Sequence, residues 1–280
     1  MTQIVGIVLV RNEDVFVEQA IRNAAGFCDR IHVVDHVSED RTWEIVRSLA
    51  RELDHVDARR SRNSGDAQRL LAPYAATATW VIGVDGDELY DPEGLARLRR
   101  DLVDGAHADV FRVKAHVLNC DDLDERAGTA SGFLAPPSRP VTKLFNFGAV
   151  EAWTESPDPL QGGDVVFRPG YDWESRRDLA GTTTWETDPL RCLHVCFLRR
   201  SSRESGAPGE RKNLDESRAF DRGLAGSLKR LVRRPTPAPQ IRELEREGKN
   251  WKREWYARGE RVTVDATPFL HARYSARAVF

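Results

Sequence analysis

The chain has 280 residues, 40% of them apolar, and 42 Lys and Arg against 44 Asp and Glu give a formal charge of −2. That length supports one large domain, or a domain with an appendage, and the near-neutral balance supplies no global basic field for nucleic acid. No apolar stretch reaches the roughly 20 residues of a bilayer span, and the apolar residues 4–10 run straight into Arg11, Asn12 and Glu13, so neither a membrane segment nor a signal sequence is expected and the cytoplasm is the expected location.

Ile4–Val10 is a continuous apolar run of strand type, followed by Asn12 and Glu13. Asp14–Ala25 sets Val17, Ala20, Ile21 and Ala24 on one helical face. Ile31–Val34 reads as a second strand ending at Asp35. Asp40 is placed to cap a helix carrying Ile45, Val46, Leu49 and Leu53. A short third strand is expected near His55–Ala58, a helix over Asp66–Ala78 and a strand over Trp80–Val84. That strand stops in three carboxylates, Asp85, Asp87 and Glu88, around Gly86. Asp91 and Pro92 read as the cap and first residue of a helix with Leu95, Leu98 and Leu102 inward, and Asp109–His116 as a further strand.

Strand-helix alternation with continuous apolar strands means a parallel sheet covered on both faces, with right-handed crossovers. Ligands of such sheets bind beyond the carboxyl ends of the strands. Asn12, Glu13, Asp35, Asp85 and Asp87 are thereby brought to one rim. Oxygen ligands of this kind suit magnesium or manganese, which keep several waters and add phosphate oxygens from a substrate. An enzyme acting on a phosphorylated, nucleotide-linked substrate is expected. The plainer alternative is that these acids open a loop or cap the next helix.

The second half is less regular. Cys120–Pro140, rich in Asp, Gly, Ser and Pro, reads as a long loop. Val141–Phe147 and Asp164–Phe167 are strand-like, and Leu193–Leu198 is an apolar strand that includes His194. Ser201–Asn213 reads as mobile and Arg234–Gln240, with three prolines, as a linker. Ile241–Tyr256 places Ile241, Leu244, Gly248, Trp251 and Trp255 on one stripe, either docked on the main domain or used to form a homodimer. The basic run Lys229–Arg234 reads as solvated surface. Cys28, Cys120, Cys192 and Cys196 form no Cys-x-x-Cys pair, so buried structural thiols are expected, with a metal role for the pair flanking His194 as the alternative.

Three segments resemble the family 2 glycosyltransferases, in particular the branch with an Arg-Asn-Glu opening and an Asp-x-Asp-Glu motif: IVGIVLVRNE at 4–13, HVVDHVSEDRTWEIV at 32–46 and QRLLAPYAATATWVIGVDGDE at 68–88. The resemblance is firm over residues 3–120 and weak over 141–200. It departs from the family at His36, Val37 and Leu70, where an aspartate, a glycine and an asparagine are usual. It implies a GT-A fold, a Rossmann-like α/β architecture with a mostly parallel central sheet and helices on both faces. Residues 1–234 would form this domain, with a nucleotide-sugar-binding half (1–120) and an acceptor half (121–234), and 235–280 a linker with a C-terminal helical extension.

The same resemblance implies a nucleotide-diphosphate sugar donor, most often uridine-linked, and Mn2+ or Mg2+. Val10, Arg11 and Glu13 would line the nucleoside pocket and Asp35 would bind the base. Arg69 would lie near the base or diphosphate, and Asp85, with Gly86, near the ribose or sugar. Asp87 would hold the metal, joined by His194. Arg199, Arg200 and Arg203 suit a diphosphate, and Ser201–Asn213 is expected to close over the donor. Inversion needs a carboxylate that deprotonates the acceptor. The segment KLFNFGAVEAWTE at 143–155 points to Glu155, with Glu151, Asp172 and Glu174 as alternatives. Trp153, Trp173 and Trp185 are expected in the core, with acceptor stacking as the other use.

The expected activity is metal-dependent inverting sugar transfer to a small-molecule or carrier-linked acceptor, in natural-product or cell-envelope biosynthesis. A non-catalytic nucleotide-sugar binder is the alternative, kept open by His36 and Val37. A sugar-nucleotide pyrophosphorylase fits less well, since no glycine run follows the first strand.

Overall fold

In the computed structural model the apolar run at the N-terminus is the central strand, β1 (Gln3–Val10), buried almost throughout. The structure describes residues 1–63, 65–138, 143–154, 160, 163–204 and 251–270. The side chains of β1 alternate between two cores. Ile4, Val8 and Val10 face one apolar cluster, and Val5, Ile7 and Leu9 face the other. A strand buried on both faces must be apolar at every position, which is why Ile4–Val10 reads as an unbroken run.

The chain continues through α1 (Val17–Ala25), β2 (Arg30–Asp35), α2 (Thr42–Glu52), β3 (Val56–Arg60), α3 (Gly65–Leu71), β4 (Thr79–Asp85), β5 (Glu88–Tyr90) and α4 (Pro92–Val103). Strands β3, β2, β1 and β4 lie side by side and parallel. Helices α1, α2 and α4 contribute to the first cluster and α3 to the second. The helix expected over 66–78 stops at Leu71 and passes into a 3-10 turn, Ala72–Tyr74. Pro73 has no backbone N–H to extend an α-helix. Asp91 caps α4 by accepting from Glu93 N at 3.0 Å, and Leu95, Leu98 and Leu102 are buried as expected.

Then come β6 (Arg112–Lys114), β7 (Val117–Asp124), β8 (Thr129–Ala135), β9 (Lys143–Asn146), β10 (Val150–Thr154), β11 (Asp164–Phe167), β12 (Arg176–Asp178) and β13 (Cys192–His194). The central sheet has the order β12-β6-β9-β4-β1-β2-β3, with β9 antiparallel to β4. Beneath it, Phe111, Phe145, Phe147, Trp153 and Trp173 pack ring against ring, with centroids 5.3–5.8 Å apart. Trp153 and Trp185 are core residues.

The stretch 120–140 corrects the sequence reading. A long loop is expected there, but 117–135 is an antiparallel hairpin of β7 and β8. Its polar and small residues hide the strand pattern, because each strand is held from its outer side by a remote partner. β13 runs parallel to β7, and β14 (Arg261–Asp265) pairs antiparallel with β8. The second sheet thus has the order β14-β8-β7-β13-β5. Gly132 crosses so close to the Asn119 backbone that an added Cβ would overlap its carbonyl oxygen and stand 2.8 Å from its carbonyl carbon.

Of the expected C-terminal extension, Ile241, Leu244 and Gly248 lie outside the described residues. α5 (Trp251–Tyr256) and β14 are described, and they close onto the same body. Ser138 Oγ donates to the carbonyl of Arg258 at 2.7 Å, and buried Phe269 stacks on Trp185. Among the described residues no helix is long and apolar enough to cross a membrane.

Candidate functional site

The parallel register decides where the site forms. Val10 pairs with Asp35 and Leu9 with Asp85, so β1, β2 and β4 end level on one rim. Beyond β4 the chain turns through Gly86 and Asp87 into β5, which pairs antiparallel with β13, matching Glu88 with His194. Val195 N donates to Asp87 O at 2.9 Å. Asp87 and His194, far apart in the chain, are therefore held together by backbone pairing. Asp87 Oδ2 lies 3.8 Å from His194 Nε2. Gly86 is required at the turn: a Cβ there would collide with Glu13 Oε2 and stand 3.1 Å from Val10 Cγ1.

Arg200 completes the group. Its Nη1 contacts Asp87 Oδ2 and lies 4.0 Å from Glu13 Oε1. Burial works against the guanidinium charge, but Asp87 and Glu13 outweigh it and hold the pKa above the ordinary arginine value. Residues after Arg200 are tied to the turns that follow β1 and β2. Ser201 Oγ donates to Asp40 Oδ2 at 2.6 Å, Ser202 N donates to Asp14 Oδ1 at 2.6 Å, and Val15 N donates to Arg200 O at 3.1 Å. Of the three arginines expected at a diphosphate, only Arg200 points at the acids. Arg199 donates to the carbonyls of Ser201 and Ser202, and Arg203 to that of Glu39. The expected closing segment beyond Glu204 lies outside the described residues.

Asp85 faces a lysine the sequence reading did not single out. Lys143 Nζ lies 2.7 Å from Asp85 Oδ2 and 3.6 Å from Glu88 Oε1. Glu88 is fully buried and accepts from Asp85 N at 2.9 Å. Burial pushes its pKa well up, only partly opposed by Lys143. Lysine at the head of an apolar strand, KLFNF, was the available signal. Asn119 is a second missed residue. It stands opposite His194 in the parallel β7–β13 register, and its Oδ1 is 2.9 Å from His194 Nδ1.

Asp35 is fully buried and already engaged. Arg60 Nε donates to it at 2.7 Å, and Ser38 N approaches both oxygens at 3.2–3.3 Å. Arg60, also missed, stacks over Trp43 at 5.3 Å. A base N–H can reach Asp35 only beside or in place of Arg60. Arg69 stands away from the acids, its exposed side chain paired with Asp66 at 2.5 Å. Arg11 is half-buried in the turn after β1, where Asn12 N donates to Ser38 Oγ at 2.9 Å.

Among the acceptor-side acids, Glu155 lies outside the described residues. Glu151 is exposed at a bulge where β10 slips against β11. Asp172 caps a turn: Ser175 Oγ and N donate to its carboxylate at 2.9 and 2.8 Å, which together lower its pKa. Glu174 pairs with Arg176 at 2.5 Å.

Divalent-ion chemistry can be judged from the donor set. Glu13, Asp85, Asp87 and Glu88 are four carboxylates facing two cations, Arg200 and Lys143. The surplus is negative even if Glu88 holds its proton. An oxygen and a nitrogen 3.8 Å apart can both reach one ion at roughly 2.1 Å each, leaving its other positions to water and phosphate. Among the described residues no three His, Cys, Asp or Glu side chains cluster as a cation site, so Asp87 and His194 would hold such an ion only with Arg200 drawn off the shared Asp87 oxygen and with water and phosphate completing the shell.

The family model for glycosyl transferase family 2 matches residues 7–137. No curated protein matches the chain. Solved structures similar to it include TarS 1-349 of S. aureus, 19% identical, covering 44% of this chain and 39% of that one, with a TM-score of 0.35. Another is the mannosyltransferase PcManGT from Pyrobaculum calidifontis, in complex with GDP-Man and Mn2+, 21% identical, covering 43% and 36%, with a TM-score of 0.31. A third is glucosyl-3-phosphoglycerate synthase from Mycobacterium tuberculosis in complex with phosphoglyceric acid, 24% identical, covering 41% and 44%, with a TM-score of 0.30. The chain thus spans less than half the length of each of these structures.

Proposed function

We propose, on the match of residues 7–137 to the glycosyl transferase family 2 model, that the chain transfers a sugar from a nucleotide-diphosphate donor, of which a uridine-linked one is expected, to a small-molecule or carrier-linked acceptor. The observation that carries the reading is the convergence of Glu13, Asp87, His194 and Arg200 at the rim where β1 and β4 end.

Asp87 and His194 would hold Mn2+ or Mg2+. Such an ion offsets the charge that grows on a departing diphosphate. Arg200 can exchange the Asp87 carboxylate for phosphate oxygens, which suit its planar fork. Asp85, steadied by Lys143, faces the ribose or sugar, with the Gly86 turn alongside. Val10, Arg11 and Glu13 line the nucleoside side, and Asp35 with Arg60 reads the base. Arg69 reaches the donor only by leaving Asp66. Glu155, or Glu151 at its bulge, takes the proton from the acceptor hydroxyl as the new glycosidic bond forms at the anomeric carbon with inversion. Natural-product or cell-envelope biosynthesis is the setting this activity suits.

The test mixes the full chain with Mn2+ and a panel of nucleotide sugars, and reads thermal stabilisation and release of nucleoside diphosphate. Metal-dependent stabilisation by at least one donor, with slow release, is the expected result. Silence toward every donor with metal present overturns the proposal. Binding with no turnover of a labelled donor in the presence of acceptor extracts points to the second reading, a nucleotide-sugar binder, which the closure of Asp35 by Arg60 favours.

A further inference from the structure

We propose that Arg112 and Lys114, backed by Arg176, form a subsite for a phosphomonoester carried by the acceptor, on the sheet face that carries Asp85. The inference rests on the reading of the rim as a sugar-donor site and names the chemistry of the acceptor. Register places the two groups. β4 and β6 both run antiparallel to β9, so they end at the same rim. Arg112 stands opposite Phe145, and Phe145 opposite Val81. By strand alternation the side chains of Arg112, Lys114, Lys143 and Asp85 leave the sheet on one face. Two strand spacings of roughly 4.8 Å put Lys114 about 10 Å from the strand of Asp85. The nucleoside residues come from β1 and β2, and Asp85 and Asp87 stand at the end of β4. The strands beyond β4 on its other side are β9, β6 and β12, where an acceptor has room.

Arg112 and Lys114 are half-buried, and neither side chain has an ion pair or hydrogen bond among the described residues. Arg112 Nε is buried without a partner there. The guanidinium lies 5.8 Å from the centre of the Trp173 ring, which attracts the charge and supplies no lone pair. Arg176, opposite Arg112 on β12, adds a third cation, exposed and paired with Glu174 at 2.5 Å. Asp178, opposite Lys114, accepts from Ala180 N at 3.1 Å. Burial lowers the pKa of both Arg112 and Lys114. Arg176 lowers that of Arg112 further, and Arg112 and Arg176 that of Lys114, with Glu174, and at Lys114 also Asp178, opposing only in part.

Desolvating a cation without an acceptor costs free energy, so packing alone does not account for two of them side by side on one strand face. Leucine or methionine would cover Trp173 without that cost. An arriving dianion removes the deficit. A phosphomonoester carries about −1.5 to −2 charge near neutrality and three acceptor oxygens, which match one guanidinium fork and one ammonium. A carboxylate leaves one of the two cations unmatched.

The experiment titrates the full chain, without donor or metal ion, with glucose 6-phosphate, inorganic phosphate, glucose and acetate, and reads binding by calorimetry. The two phosphates should bind, and glucose and acetate should not. Arg112→Gln and Lys114→Gln should each weaken phosphate binding roughly 10-fold or more, the scale of one charge-assisted hydrogen bond. Arg177→Gln is the control: Arg177 leaves the opposite face of β12 and pairs with Asp109 at 2.9 Å. It removes the same charge and should bind phosphate as the wild type does. No phosphate binding by the wild type, unchanged binding in either site variant, or an equal loss in Arg177→Gln overturns the inference. Circular dichroism checks the fold of each variant, and should Arg112→Gln not fold, Lys114→Gln decides. The expected pattern in a protein silent toward every nucleotide sugar upholds the subsite and counts against the transferase reading. Donor binding without phosphate binding sinks the subsite alone.

Discussion

Asp35 is closed by Arg60: a carboxylate with no exposed surface receives the Arg60 Nε at 2.7 Å, from the neighbouring parallel strand. Among the described residues the remaining donor to Asp35 is Ser38 N, at 3.2–3.3 Å. Removing the guanidinium leaves a buried charge short of a partner. Arg60→Leu should lower stability by about 1–3 kcal/mol, with half-exposed Arg60 placing it below a fully buried pair. Urea unfolding followed by circular dichroism measures this. A change under about 0.5 kcal/mol would show that the Ser38 amide alone satisfies the acid.

Val37 adopts φ 53°, a left-handed backbone that a β-branched residue pays heavily to enter. The sequence resemblance leads to glycine, not valine, at this position. Relief of that strain, about 1–2 kcal/mol, exceeds the entropy glycine adds to the unfolded chain, about 0.5–1 kcal/mol. Val37→Gly should therefore be more stable by about 0.5–1 kcal/mol, seen as a higher urea midpoint with an unchanged slope. An equal or lower midpoint would mean the turn relaxes around valine.

These two sites show how far the sequence could be read. The rim was legible because parallel strands place their ends by register, and the unbroken apolar runs at 4–10, 31–34 and 80–84 identify such strands. The partners of the rim acids were not. Lys143, Asn119 and Arg60 come from strands whose neighbours are set by tertiary pairing, and no local period announces a single polar residue that will meet an acid from another strand. The hairpin at 117–135 was hidden for the same reason. Its small and charged residues make sense only once β13 and β14 cover its two outer edges.

His32 offers a pH test away from the rim. Its Nε2 lies 3.0 Å from Tyr74 OH and its Nδ1 2.7 Å from Asp57 Oδ2. Burial lowers its pKa below the ordinary 6.5, and the nearby Asp57 only partly opposes this. A depressed histidine pKa gives stability that is fully present above the unfolded value and lost as the pH falls through the folded one. Wild-type stability should therefore decline below pH 6.5 more steeply than that of His32→Gln. Parallel pH profiles for the two proteins, from chemical unfolding, would show that the ring is not held neutral.

Asp87→Asn separates the ion from the fold. The amide keeps the shape of the turn and the Val195 N to Asp87 O bond, which is made by the backbone. It removes one carboxylate that Arg200 contacts, leaving Glu13 beside a buried cation. Mn2+-dependent donor binding should be lost, while stability falls by about 1–3 kcal/mol, less than the roughly 3–5 kcal/mol of a broken buried pair because the amide oxygen still accepts from Arg200 and Glu13 stays beside it. Calorimetric titration with Mn2+ and donor measures the first, and urea unfolding the second. Donor affinity that stays equal to wild type, with and without metal, would show that Arg200 and Lys143 hold the diphosphate without an ion at Asp87.

The acceptor base can be separated from its neighbours by kinetics. Asp172 has its carboxylate spent on Ser175 and Glu174, and those bonds, the Ser175 hydroxyl foremost, hold its pKa low. All three bonds fall on Oδ1, and a carboxylate whose pKa is lowered in this way is a weak proton acceptor near neutrality. Glu174 is tied to Arg176. Glu151 is exposed at the β10–β11 bulge, and bulges often re-aim side chains near active sites. Once a donor and acceptor are identified, Glu155→Gln should lower kcat by about 10²–10⁴ with donor binding intact, since a general base contributes on that scale. Asp172→Asn and Glu174→Gln should change kcat less than about threefold on the same reasoning. If the large loss appears in Glu151→Gln instead, the base stands at the bulge, and if it appears in Asp172→Asn, the turn that now binds that carboxylate must open during transfer.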